Sequence, residues 1–209
     1  MSEAPTWEKR RPGRPRDPEF AEKREAILAA AAALMARHGY DGMSLGDLAE
    51  ALKVSKPTLY HYVGGKEQLF AEIVERSQRA TIDFIKGVAE AGGTGAAKLR
   101  RILVGYMQIV NSDFGTSLTF IGPAVLGPET LAAIQTRAQE ANALILRVFE
   151  EGAADGTLAI EEPAITLQTL FGALNWTRNW YRPGGRLSLR EVAERQADIL
   201  LAGVKGPAA

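Results

Sequence analysis

The chain has 209 residues, of which 46% are hydrophobic and 24% charged, and its 25 basic and 25 acidic side chains give a formal net charge of +0. This is ordinary globular usage with enough apolar content for a core; it excludes a protein coated all over with positive charge, but not one with a local basic patch, since affinity for phosphates depends on where charges sit. No cysteine is present and only His38 and His61 carry imidazoles, so disulfides, thiolate nucleophiles and zinc–thiolate sites are excluded, and neither a metal site nor a cofactor is expected.

The first eighteen residues carry Lys9, Arg10, Arg11, Arg14 and Arg16 without an intervening acid, and Pro12, Pro15 and Pro18 forbid a regular helix. Residues 1–18 read as a flexible basic arm, either a solvated tail or a nucleic-acid contact. They lack the apolar core of a signal peptide. No stretch approaches the ~18–20 uncharged apolar residues of a membrane span, so a cytoplasmic location without a membrane partner is expected.

Helical periodicity begins at Phe20 and runs to His38, with Ile27, Ala31 and Leu34 on one stripe and Gly39 as the terminator. Ser44 followed by Asp47 caps a short helix over Leu45–Leu52. Ser55 is placed to cap another, with Lys56, Pro57 and Thr58 in its first turn, where proline is tolerated. Gly64 and Gly65 end it. A longer helix follows over Lys66–Lys86 with Leu69, Phe70, Ile73 and Val74 inward. After a loop at Gly92, Gly93, Thr94 and Gly95, a helix is predicted over Ala97–Asn111. Gly122-Pro123 and Gly127-Pro128 leave only a short or kinked helix over Gly115–Pro128. Helices over Glu129–Gly152, Glu161–Tyr181 and Ser188–Val204 complete the chain, the last two separated by the turn Arg182-Pro183-Gly184-Gly185. The fold class is all-α, with about nine helices. Residues 19–68 read as a helix-turn-helix domain and 69–209 as a larger helical domain.

The informative segment is Ser44 to Leu69. A capped helix, a tight turn and a second short helix make a helix-turn-helix, with Leu48, Ala49, Val54 and Leu59 locking the pair together. Lys56, Thr58, Tyr60 and His61 are then left to project from the second helix. From Lys53 to Lys66 there are three lysines and no acid, the charge pattern of a surface that meets phosphates.

Three runs in this segment carry a family resemblance: Ser44-Leu45-Gly46-Asp47-Leu48-Ala49, Val54-Ser55-Lys56-Pro57-Thr58-Leu59-Tyr60-His61-Tyr62, and Lys66-Glu67-Gln68-Leu69-Phe70. Together they resemble the TetR family of repressors over about the first third of the chain. The resemblance implies a three-helix domain whose third helix enters the major groove of double-stranded operator DNA. It also implies a helical domain that forms a homodimer through its last two long helices and holds a ligand. Carried over by position, Lys56, Thr58 and Tyr60 contact DNA, Lys66 pairs with a phosphate, and Ser44 offers its hydroxyl or amide to another. Ser44 and Ser55 can equally be plain N-caps, Tyr60 a core aromatic, and His61 either a base reader or an ordinary helix residue. Tyr62 is expected to pack, although the family sometimes points a residue at this position towards the DNA backbone. Lys53 stands where the family's turn usually has glycine, so a positive φ is expected there. Beside this module, Gly13-Arg14-Pro15-Arg16 resembles the core of an AT-hook, which implies minor-groove contact by Arg14 and Arg16.

The ligand region is less defined. Tyr106, Met107, Phe114, Phe120, Trp176 and Trp180, with Asn111, Asn175 and Arg178 as polar groups, either line an apolar pocket or fill a core. Leu167, Leu170 and Leu174 with Leu189, Val192, Ile199 and Leu200 form stripes that pack within the chain or against a second copy. The run Phe171–Trp176 followed by Trp180–Gly185 resembles the C-terminal motif of TetR members that control lipid, fatty-acid or steroid degradation, or else simply closes a turn. That resemblance implies an acyl-CoA thioester as the small-molecule effector, with Arg178, Arg182 and Arg137 as candidate cations. The expected function is that of a DNA-binding repressor released by a small apolar ligand. The alternatives are a regulator without an effector and an all-α enzyme. No catalytic constellation supports the enzyme: there is no HExxH, no nucleophile elbow and no phosphate loop after a strand.

Overall fold

The computed structural model describes residues 18–112, 114–115 and 127–204. Its helices are α1 (Pro18–Gly42), α2 (Leu45–Ala51), α3 (Lys56–Tyr62), α4 (Lys66–Glu90), α5 (Gly95–Val110), α6 (Pro128–Ala154), α7 (Pro163–Trp180) and α8 (Leu189–Ala202). The fold is therefore all-α, with eight helices among the described residues against about nine expected. The interrupted stretch Gly115–Pro128, where the ninth is expected, lies mostly outside those residues. Two compact units divide the chain: among the described residues the first holds 18–76, 114–115 and 127–131, the second 77–112 and 132–204.

In the first unit the apolar stripe of α1 is buried through Ile27, Leu28, Ala31, Ala32 and Met35, and Gly39 breaks the helix at φ 72. Leu34 is only half-buried. Leu45, Leu48 and Ala49 of α2, Leu59 and Tyr62 of α3, and Leu69, Phe70, Ile73 and Val74 of α4 fill the rest of the core. The turn between α2 and α3 is held by amide bonds from Lys53 to the Glu50 carbonyl (3.0 Å) and from Val54 to the Ala49 carbonyl (2.9 Å). Lys53 takes φ 55, the left-handed conformation that a turn this tight demands and that glycine would adopt more readily.

In the second unit α5 packs against α7 and α8. Leu99, Ile102, Leu103 and Met107 bury against Ile145, Val148, Phe149, Leu170, Leu174, Val192 and Leu201. Helix α5 starts two residues before the predicted Ala97 because its N-cap Thr94 and two side chains from elsewhere cap it. Thr94 accepts from the Ala97 amide (3.3 Å), Asp155 from the Gly95 amide (2.7 Å) and Thr157 from the Ala96 amide (3.1 Å). The Thr157 hydroxyl and the Gly95 amide hold the Asp155 carboxyl below the usual carboxylate range.

The stripes on α7 and α8 divide in a way that periodicity alone left open. Leu167, Leu170, Leu174 and Val192 are buried within the chain, while Ile165, Trp176, Trp180 and Ile199 are exposed. Ile199, read together with Val192, thus belongs to a different face.

Gly95 is packed against the Gly152 backbone so closely that a β-carbon there collides with main-chain atoms, which cannot swing aside. Gly95→Ala is expected to destabilise the protein by about 2 kcal/mol, the scale of an overpacked core site. Urea denaturation checks this; an unchanged midpoint contradicts the packing described.

Candidate nucleic-acid interface

Helix α2 begins at a reciprocal capping box: Ser44 Oγ accepts from the Asp47 amide (3.1 Å) and Asp47 Oδ2 accepts from the Ser44 amide (2.8 Å). Hydrogen bonds from Ser44 hold the Asp47 carboxyl below its usual range, so the charge stays on at the helix N-terminus, where the dipole favours it. Helix α3 begins at Ser55, whose Oγ accepts from the Thr58 amide (3.2 Å) and lies 2.7 Å from the Thr58 hydroxyl. Both serines are N-caps. Each still has an exposed hydroxyl at a helix N-terminus, where an anion is favoured.

The cap Ser55 and the seven residues of α3 are then divided between two faces. Leu59 and Tyr62 point into the core, whereas Ser55, Lys56, Pro57, Tyr60 and His61 are exposed and Thr58 is half-buried. Tyr60 leaves 53% of its surface open to solvent, so it is not a core aromatic in this chain. Lys56 reaches back over the N-terminus of α2: a side-chain carbon at Gly46 would meet its Nζ at 3.2 Å and Ser44 Oγ at the same distance. Lys56, Ser44 and Ser55 are thereby drawn to one end of the helix pair. His61 turns a ring edge to Phe20 at 5.8 Å, and Tyr62 stacks on the same ring at 4.7 Å. Lys66 stands over the Tyr40 ring, its Nζ 4.2 Å from the centroid. This holds the cation at the start of α4 without neutralising it.

A brace that periodicity did not reveal fixes the far end of α3. Arg24 of α1 binds Glu72 of α4 through both guanidinium nitrogens and turns its Nε to the Tyr62 carbonyl at 3.4 Å. Arg76 adds pairs to Glu25 and, at 3.1 Å, to Glu72. The hydrogen bond to Arg76 holds the Glu25 carboxyl below its usual range. Only the Glu72–Arg76 spacing of four was visible in the sequence; partners 48 and 51 residues apart leave no local signal.

Arg14, Arg16 and Phe120 lie outside the described residues. Of the residues read for a ligand, Met107 is fully buried and Phe114 half-buried. Tyr106 donates to Asn175 Oδ1 at 2.9 Å and sets its ring edge-on to Phe171 at 4.8 Å; burial pushes its hydroxyl pKa up. Arg178 is half-buried beside this group, whereas Trp176 and Trp180 stand on the exposed face of α7. Asn111 turns its amide to the Met107 carbonyl (2.8 Å), and Arg182 closes the turn after α7 by donating to the Tyr181 (3.0 Å) and Asn179 (3.3 Å) carbonyls. Arg137 is half-buried on α6. Among the described residues no cluster of His, Asp or Glu is placed to hold a metal ion, and no helix is long and apolar enough to cross a membrane.

Comparison with known proteins agrees with this geometry. Residues 27–73 match the family model for bacterial regulatory proteins of the tetR family, and residues 92–204 match that for a tetracyclin repressor-like C-terminal domain. The chain is 22% identical over 191 residues to the HTH-type transcriptional repressor KstR2 of Mycolicibacterium smegmatis, covering 88% of this chain and 91% of that protein. It superposes on the TetR family regulator PfmR of Thermus thermophilus with a TM-score of 0.75 and 27% identity, over 84% of this chain and 97% of that one. The fold of AibR, solved in complex with isovaleryl coenzyme A and operator DNA, is shared at a TM-score of 0.73 and 24% identity, over 89% of this chain and all of that one.

Tyr60 is exposed on α3 and takes no part in the core. Tyr60→Ala is expected to leave the melting temperature within about 2 °C, since surface changes rarely exceed ~0.5 kcal/mol, while weakening DNA binding on the order of tenfold or more. Thermal melting and fluorescence anisotropy on the same preparation check this; a large loss of stability contradicts the exposed placement.

Proposed function

The chain belongs to the tetR family of bacterial regulatory proteins and is a DNA-binding transcriptional regulator, and from that premise we propose that it is a homodimeric repressor released from its operator by an acyl-CoA-class effector. The observation that carries the DNA-binding half is the exposed face of α3. Lys56 and Tyr60 point outward from a short helix capped by Ser55, with Lys66 at the next helix start and no acid from Lys53 to Lys66. A helix of this size fits a major groove ~12 Å wide, where hydroxyl and ammonium groups reach phosphates and base edges. Ser44, Ser55, Lys56, Thr58, Tyr60, His61 and Lys66 form the proposed contact set, and Arg14 and Arg16 add a minor-groove contact.

Repression is proposed from the similarity to KstR2, a transcriptional repressor. The effector class is proposed from AibR, which was solved with isovaleryl coenzyme A and operator DNA, together with the aromatic and Arg-Pro-Gly-Gly run at the end of α7. Release follows if the ligand binds more tightly to a dimer whose two recognition helices no longer match successive grooves. The shift can be no larger than that difference in affinity.

The dimer face proposed is the exposed stripe of α7 and α8. Ile165, Thr169, Gly172, Trp176 and Trp180 recur at steps of three and four along α7, and Ile199 stands exposed on α8. Large apolar groups at this spacing are what two helices per chain need to form a four-helix bundle with their copies. Trp176→Glu is expected to convert the dimer to monomer in light scattering and to weaken operator binding, because two linked half-site contacts become one. A dimer of unchanged mass moves the interface elsewhere.

Mobility shift on DNA upstream of the protein's own gene, repeated with a panel of acyl-CoAs, tests the whole reading. Binding abolished by one thioester is expected. Binding indifferent to every one removes the effector class, and absence of binding to any flanking DNA contradicts the operator. In the same assay, replacing Arg14 and Arg16 by Ala is expected to lower the slope of log affinity against log salt by about two, one for each phosphate-neutralising cation lost. An unchanged slope removes the arm from the interface.

A further inference from the structure

One half-buried cation in the second unit lacks the partners that its paired neighbours have. Lys98 is paired with Glu151 at 2.6 Å and the Ala89 carbonyl at 2.7 Å, Arg100 with Asp198 at 2.8 Å, and Arg190 with Glu194 at 3.0 Å. Arg178 has no such partner. Its Nε is buried without a hydrogen bond, and among the described residues no carboxylate pairs with it. Burial pushes its pKa below the ordinary arginine value, and the Tyr106 hydroxyl is the titratable neighbour that bears on it. Arginine does not deprotonate in proteins, so the result is a half-desolvated positive charge with an unused donor. The buried Nε–H is a donor left without an acceptor, which an incoming anion would supply.

Its surroundings suit an incoming ligand. Tyr106 comes from α5 and gives its proton to Asn175 Oδ1, which leaves the phenol oxygen as an acceptor and the Asn175 amide as a donor. Asn175 precedes Arg178 by three residues on α7, so the two share a face. Phe171, edge-on to Tyr106, and fully buried Met107 and Leu174 supply apolar surface beside these polar groups. Trp176 and Trp180 each lie two residues from Arg178, about 160° around the helix, so a second copy docked on the tryptophan stripe does not reach the guanidinium.

We propose that Arg178, with Tyr106 and Asn175 beside it, is an anion-recognition site that seats the carboxylate or phosphate of an effector whose apolar body lies against Phe171, Met107 and Leu174. The assignment rests on the reading of the second unit as an effector-binding domain. A guanidinium accepts either anion through two parallel hydrogen bonds, so the shared chemistry is the oxyanion. The site would tell an acid or a thioester of coenzyme A from a neutral lipid of the same length, because only the anion pairs the waiting charge.

The test is thermal melting of the full-length dimer with octanoate, octanoyl-CoA and octanol, for the native chain and for Arg178→Met. A rise in melting temperature with octanoate or octanoyl-CoA but not octanol is expected. Arg178→Met, without any probe, is expected to melt at or above the native temperature, because a desolvated unpaired charge is gone. It is also expected to lose the anion-dependent rise, with affinity lower on the order of tenfold or more. A response to octanoate alone assigns a carboxylate; a response to octanoyl-CoA alone assigns a coenzyme phosphate. The proposal is overturned if octanol matches the anions, if neither anion acts on the native chain, or if the variant keeps the rise. It is equally overturned if the variant without probe melts well below the native chain, which makes Arg178 a structural residue. Operator mobility shift, read in parallel, separates this site from the repressor reading. DNA binding indifferent to a probe that still gives an Arg178-dependent melting shift removes the regulation and leaves the anion site standing.

Discussion

A seven-residue helix cannot hold itself together in water, since nucleation is unfavourable and helices under about 12 residues are marginal alone. Everything proposed for the DNA-facing surface depends on how the rest of its unit anchors α3. Three constraints do so. Leu59 and Tyr62 are buried in the core shared with α1, α2 and α4; the Ser55 cap defines the start; and Arg24, clamped on Glu72, reaches the Tyr62 carbonyl at the end. With these in place, Lys56, Thr58 and Tyr60 are presented in one orientation. The order needed to bind is thus already present before DNA arrives, so less affinity is lost to ordering.

Charge is distributed by the same logic. Cations that shape the fold are matched: Arg24 and Arg76 share Glu72, and Lys98 has Glu151. The cations beside α3 are held without an ion pair, as Lys66 is over the Tyr40 ring and Lys56 over Gly46. A zero net charge is compatible with DNA binding because no acid stands between Lys53 and Lys66, while acids elsewhere serve pairs and caps, Asp47 and Asp155 at helix starts. Arg178 belongs to neither group, which is why it draws a ligand-based explanation.

Local chemistry made much of this legible in the sequence. Ser44 with Asp47, and Ser55, announce two caps, and the left-handed Lys53 follows from the family resemblance, whose turn usually has glycine at that position. The period of three and four located the long helices to within a few residues. What stayed hidden depends on partners far apart in the chain. Asp155 and Thr157 cap α5 from 60 and 61 residues away, and so move its start to Gly95. The Arg24–Glu72 brace spans 48 residues. Periodicity marks a helix face as apolar without saying what covers it. Met107 is buried in the core of the second unit whereas Trp176 and Trp180 stand exposed on α7, a division that periodicity does not resolve.

The most direct test is a hydroxyl-radical footprint of the protein on the DNA upstream of its gene. Two recognition helices held by one dimer predict two protected half-sites on the same face of the duplex, their centres separated by about one helical turn, ~34–36 Å, or a multiple of it. A single protected site, or protection without that spacing, contradicts a dimer that reads successive major grooves through α3.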